Sequence, residues 1–163
     1  MQKMKYKRLT QEQLHSLEKE FVDFLVINGI IAEDWSQMKK DEPEKAERMI
    51  GLFSDVVFEG ILRKTDFIEW RSKSEVRAFH CLKDKIILAG LKADTGSKIN
   101  FLDQDFIQEA GEKMNHAMKA YTTEKLYAKN REEEIFEMLE NGCMISDGKL
   151  FKAIAVSIAS AKY

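Results

Sequence analysis

The sequence contains few of the residues that interrupt regular structure. Pro43 is the one proline among 163 residues, where average usage would give about eight, so a proline-rich linker protein is excluded and long helices and strands are favoured. The two cysteines, Cys81 and Cys143, lie far apart and match no zinc-binding spacing. We expect two ordinary buried thiols, because free cysteine behaves mostly as a small apolar side chain; a single disulfide is the alternative.

Catalytic and metal-binding motifs are missing as well. The chain has no G-x-S-x-G, no phosphate-binding loop, no G-x-G-x-x-G and no H-E-x-x-H. His80 lies beside Cys81, but adjacent strand residues point to opposite faces, which excludes them as a nucleophile pair. Glu12 and His15 form one Glu-x-x-His, whereas di-iron bundles need two and further glutamates. We therefore expect no catalytic residue, no metal and no cofactor.

Neither sign of charge dominates, since 26 Lys and Arg stand against 28 Asp and Glu for a net charge of -2. A generally basic nucleic-acid binder is thereby excluded. The distribution is uneven, however: residues 9–62 carry 5 basic and 12 acidic residues, whereas residues 63–98 carry 9 basic and 5 acidic ones. The two regions either attract each other inside one fold or present a basic surface to an anionic partner.

Long hydrophobic runs are also missing. A basic start, residues 1–9, resembles the first part of a signal peptide, but acidic residues interrupt the apolar positions that follow, which a signal peptide excludes. The longest uncharged apolar runs, 86–91 and 153–161, fall short of the roughly 20 residues that a membrane span needs. We expect a cytoplasmic protein with no membrane partner, in which residues 1–9 form a basic and flexible segment.

Helical periodicity fills the first part of the chain and a period of two follows it. Apolar spacing predicts helices over about 11–27, 32–40 and 43–62, the first with a capping box at Thr10 and Gln13. Strands are predicted over 66–72, 75–82 and 86–93, the last of them central, with a short strand around 117–121. Further helices are predicted after Asp103 (with Phe106, Ile107 and Ala110), over 132–141 and from 147 to about 161. The chain should form a single α+β domain over 1–163: N-terminal helices, a small antiparallel sheet of about three strands, then C-terminal helices.

Two carboxylates on the third predicted helix are the candidate ligand-binding residues. Asp55 and Glu59 are four residues apart and therefore lie on one side of the helix. Phe53, Val57 and Ile61 should face the core. Val57 lies about 160° from Asp55 around the helix axis, so Asp55 should point away from the core. Partial burial would raise the carboxyl pKa values unless a cation lay nearby. The two residues either line a pocket or lie on a solvated side, paired with Lys or Arg, and we expect the solvated side.

Several short features are spread over most of the chain: Met4-Lys5-Tyr6, Arg8-Leu9-Thr10, Phe53-Ser54-Asp55, Glu59-Gly60, Lys119-Ala120-Tyr121, and Ile145 with Gly148. Together they resemble a family of small proteins from Bacteroidetes bacteria, a domain of unknown function. The resemblance implies a cytoplasmic bacterial protein, and it implies that Met1-Gln2-Lys3 precedes an internal start at Met4. It implies no activity, cofactor or partner, so it assigns no functional residue.

Three functions remain open. The leading hypothesis is a non-enzymatic interaction or accessory domain that binds a protein partner or itself, because no catalytic set is complete and the C-terminal helix ends in small residues, 159–161. The first alternative is a small-molecule-binding protein or enzyme with a pocket beside Asp55 and Glu59. The second alternative, which we expect less, is a weak nucleic-acid binder through the basic region 63–98, where Phe67, Trp70 and Phe79 could stack on bases. A deep pocket would favour the first alternative, and a flat apolar patch would favour the interaction domain.

Overall fold

A computed structural model describes residues 3–103 and 118–160. Within these ranges the protein has six helices and one antiparallel sheet of five strands, which confirms the α+β class. The chain divides into two compact units, Met1–Arg63 and Lys64–Tyr163. The helix predicted to carry Phe106, Ile107 and Ala110 lies outside the described residues.

The first unit consists of helices, whose bounds are α1 (Gln11–Ser16), α2 (Glu18–Ile27), α3 (Ala32–Asp41) and α4 (Pro43–Lys64). Thr10 caps α1 through the predicted capping box, since its hydroxyl accepts from the Gln13 amide while the Gln13 side chain accepts from the Thr10 amide. The single helix predicted over 11–27 is interrupted at Leu17. After α2, Gly29 takes a positive φ of 78°, and the Ile30 amide donates to the Leu25 carbonyl at 2.8 Å, which closes the helix end.

An aromatic cluster fills the core of the first unit. Phe53 on α4 lies with its ring centroid 5.0 Å from that of Phe21 and 5.4 Å from that of Phe24, and Phe21 meets the edge of Trp35 at 5.2 Å. Leu9, Leu14 and Ile50 are buried with Phe53. The apolar stripes predicted for the first three helices therefore converge on Phe53, although Ile61 is 44% exposed and was predicted to be in the core.

The second unit contains the sheet, whose strands are β1 (Phe67–Arg71), β2 (Glu75–Cys81), β3 (Lys85–Ala93), β4 (Met118–Leu126) and β5 (Met144–Ile145). The strand order is β4-β3-β2-β1-β5. The first three strands match the sequence prediction. β4 is longer than predicted, β5 was not predicted, and β2 rather than β3 holds the centre.

The helices α5 (Arg131–Glu140) and α6 (Lys149–Ser160) complete the second unit. One core cluster joins the sheet to α6 and contains Val76, Ala78, Ala89, Leu91, Leu150, Phe151 and Ile154. The first turn of α5 is tied to the strands by Arg131, which donates to the carbonyls of Thr65 at 2.6 Å and of Cys81 at 3.0 Å. Among the described residues, no helix combines the length and apolar character that crossing a bilayer requires.

Candidate functional site

Asp55 holds the start of the chain against α4. Its two carboxylate oxygens accept hydrogen bonds from consecutive backbone amides, Oδ2 from the Lys5 amide at 2.7 Å and Oδ1 from the Tyr6 amide at 2.9 Å. Asp55 is half-buried. Both of its oxygens are thus engaged by residues 4–9, which we call the N-terminal strap.

Glu59 binds the same strap through side chains. It accepts from the Tyr6 hydroxyl and from Lys5 Nζ at 3.3 Å, and its other oxygen accepts from Arg63 Nε at 3.3 Å. The pairing with Lys and Arg agrees with the sequence expectation, but the Glu59 side chain is only 23% exposed, so its side of the helix is not fully solvated. Burial works against ionisation, but the hydrogen bonds from Tyr6 and Lys5 and the nearby cations outweigh it, so the pKa of Glu59 is lowered.

Further contacts fix the rest of the strap. The buried Ser54 hydroxyl accepts from the Leu9 amide at 3.0 Å and donates to the Ile50 carbonyl at 2.7 Å. Arg8 binds Glu47 through two nitrogens, at 2.8 and 3.0 Å. The N-terminal segment that we expected to be flexible is instead anchored over residues 5–9, because its amides find side-chain acceptors on α4.

An open groove lies between the strap and α4 and has a volume of 850 Å³. We call it the strap groove. Apolar atoms of Met4, Met49 and Leu52 line it, and the Met4 side chain lies over Gly51 of α4. Its charged lining residues are Lys3, Lys45, Glu47, Arg48 and Asp55. The groove therefore lies beside Asp55, as the pocket hypothesis required, but Glu59 does not line it.

A row of polar and aromatic side chains crosses the sheet on the basic strands. Trp70, Arg77, Gly90 and Tyr121 are cross-strand neighbours, with the Arg77 guanidinium 5.0 Å from the Trp70 ring. The Tyr121 ring lies directly over Gly90, where it occupies the space that a Cβ would need. Lys92 lies 5.3 Å from that ring. The chain's own cations thus already contact the two rings of this row.

The remaining candidate residues take structural positions. Phe67 lies on the α6 side of the sheet, with ring centroids 4.4 Å from His80 and 5.8 Å from Phe151. Both cysteines are free thiols, and burial raises the pKa of Cys81 to about 12, which keeps it protonated and unreactive. The described ranges contain no group of three His, Cys, Asp or Glu side chains that could hold a metal.

Acid is expected to loosen the strap through Glu59. Because the pKa of Glu59 is lowered on folding, its contacts contribute stability that is fully present above about pH 4.3, the ordinary glutamate value, and is lost as pH falls through the lower folded value. Urea unfolding of wild type and Glu59→Gln should differ by about 1 kcal/mol at pH 7, and the difference should shrink as the pH is lowered below about 4.3. A difference that stays constant over this range would contradict the role given to the ionised carboxylate.

The short features that carry the family resemblance include both sides of the strap contact, because Lys5 and Tyr6 bind Asp55 and Glu59 while Leu9 binds Ser54. No curated protein and no solved structure matches the chain. The sequence model of one family, DUF6495, a family of unknown function, matches residues 4–159. This range includes the strap, α4 and the whole sheet. The chain therefore belongs to this family of unknown function, DUF6495.

Proposed function

We propose that the protein is a cytoplasmic, non-enzymatic interaction domain that binds a partner protein in the strap groove. The observation that carries this proposal is the apolar surface there. Leu52, which lines the groove, is 41% exposed, and Val56, one turn further along the same side of α4 and just outside the lining, is 58% exposed. Neighbouring exposed apolar side chains of this kind mark interaction sites, and the two methionines that line the groove can adapt to a partner's shape.

The pocket hypothesis draws less support from the geometry. A ligand at Asp55 and Glu59 would compete with the two strap amides on Asp55 and with Tyr6 and Lys5 on Glu59. These carboxylates serve as anchors for the chain itself. Binding a small molecule there would require the strap to leave α4 first.

The nucleic-acid hypothesis draws less support as well. Base stacking needs a free ring surface, whereas Arg77 and Lys92 already lie against Trp70 and Tyr121. The cavity of 480 Å³ at the neighbouring end of the sheet is lined by as many carboxylates as lysines, namely Lys73, Lys92, Glu75 and Asp94. A phosphate would meet no excess of positive charge in that cavity.

The C-terminal helix offers little for self-association. Leu150, Phe151 and Ile154 of α6 are buried in the core cluster of the second unit, so the apolar side of the helix is already used. Val156 is the large apolar residue that α6 leaves exposed within its described length. The apolar side of α6 is therefore a weaker candidate for self-association than the sequence suggested.

The test is affinity capture by wild type, Leu52→Glu and the control Val26→Glu, which changes an exposed apolar residue of α2. We expect a partner whose recovery falls at least tenfold with Leu52→Glu and is unchanged with Val26→Glu. Circular dichroism checks that each variant is folded. Recovery of the same proteins by wild type and Leu52→Glu would count against the groove, as would the absence of any partner.

A further inference from the structure

The charges around the strap groove identify the chemistry of its occupant. Building on the proposed function, we infer that the groove binds an acidic, amphipathic segment of the partner protein. Three features of the groove support this occupant: an excess of positive over negative charge in its lining, apolar side chains, and length along α4.

The positive charge comes from Lys3, Lys45 and Arg48, which all line the groove. Lys3 and Arg48 form no salt bridge with any residue that the structure describes, and Lys45 lies 3.9 Å from an exposed Glu42. The two carboxylates of the lining are already engaged. Glu47 is bound by Arg8, and Asp55 is bound by two strap amides. Acidic groups of a partner would therefore meet two cations that have no ion-pair partner among the described residues, Lys3 and Arg48, and a third, Lys45, whose ion pair with Glu42 is long and exposed.

The apolar lining and the cations follow one side of α4. Lys45, Arg48, Met49 and Leu52 of the lining recur at helical spacing, and the exposed Val56 continues the same side of α4 just beyond the lining. At about 1.5 Å per residue this row extends over roughly 16 Å. This length is that of about three turns of a helix laid along α4. An amphipathic helix that binds a groove places apolar anchors at the same kind of spacing.

The placement of the cations favours a peptide over an anionic lipid. Lys3 belongs to the strap side of the groove, whereas Lys45 and Arg48 belong to α4. A fatty acid has one carboxylate and can form an ion pair with one of these cations. A helical segment with glutamates beside its apolar stripe can form ion pairs with all three cations while it buries leucines against Met49 and Leu52.

The experiment uses the full chain and a fluorescein-labelled helical peptide of about 16 residues, about 24 Å long, with leucine every third or fourth position and glutamate at most others. A second peptide carries lysine in place of glutamate, and oleate is the lipid probe. We expect saturable anisotropy changes with the acidic peptide that weaken as salt is raised. Arg48→Glu and Leu52→Glu should each weaken binding at least tenfold, whereas Lys40→Glu, an equal charge change on α3, should not.

The inference would be overturned by no binding of the acidic peptide, by equal binding of the lysine peptide, or by equal binding of the acidic peptide to Arg48→Glu and wild type. Oleate that displaces the peptide at lower concentration would assign the groove to an anionic lipid instead. If a captured partner depends on Leu52 but not on Arg48, the proposed function stands and the acidic partner is abandoned. If the acidic peptide binds but no captured protein depends on Leu52, the proposed function fails instead.

Discussion

Gly148→Ala is expected to destabilise the second unit by about 3 kcal/mol. Gly148 is buried just before α6 and has a φ of 84°, a region in which a Cβ costs about 1–2 kcal/mol. The added Cβ would also lie 2.6 Å from the Phe67 ring. That ring packs against both His80 and Phe151, which also contact each other, so it has little room to move and overpacking adds about 1–3 kcal/mol.

Gly96→Ala is the matched control for this prediction. Gly96 has the same φ of 84°, but nothing lies within 4 Å of the position that a Cβ would take, so its substitution tests the backbone cost alone. Urea unfolding followed by Trp70 fluorescence in a Trp35→Phe background reports on the second unit. If Gly148→Ala lowers the free energy of unfolding no more than Gly96→Ala does, the contact with Phe67 is not the reason for glycine at position 148.

The features that the sequence predicted well depend on neighbours along the chain. The capping box of Thr10 and Gln13 lies within one turn of α1, and the helix end predicted at about residue 27 lies where Gly29 and Ile30 close the last turn of α2. The change from a helical period to a period of two placed β1, β2 and β3 for the same reason. The spacing of apolar residues along the chain reflects the helix or strand that local hydrogen bonds form, so these elements could be identified without knowledge of the fold.

The features that were missed depend on contacts between distant residues. The Lys5 amide and Asp55 are 50 residues apart, and backbone amides have no sequence signature. The angle of 100° per helical residue correctly placed Asp55 and Glu59 away from Phe53, but it could not predict that the strap covers that side of α4. β5 has two residues, too few for any period to appear, and it forms only because β1 offers it a partner.

The role of Asp55 leads to the second large effect, since Asp55→Ala is expected to destabilise the first unit by about 2 kcal/mol. The substitution removes the acceptor of two backbone amides, and a hydrogen bond to a charged group contributes about 1.5–3 kcal/mol. Asp55 is half-buried, so water can reach the two amides left without an acceptor, and the loss should fall below the roughly 3 kcal/mol at the lower end of the sum for two such bonds. A carboxylate on a solvated side would instead change stability by no more than about 0.5 kcal/mol.

Asp23→Ala is the control, because Asp23 is an exposed carboxylate of α2 that forms a solvent-exposed ion pair with Lys19 at 3.4 Å. Asp55→Asn keeps one carbonyl acceptor and should lose about half as much stability as Asp55→Ala. Trp35 fluorescence in a Trp70→Phe background follows the first unit, and hydrogen exchange should show faster exchange of the Lys5 and Tyr6 amides. The Leu9 amide should stay protected, because Ser54 holds it separately. Equal stability of Asp55→Ala and Asp23→Ala would mean that the strap is not held by this carboxylate.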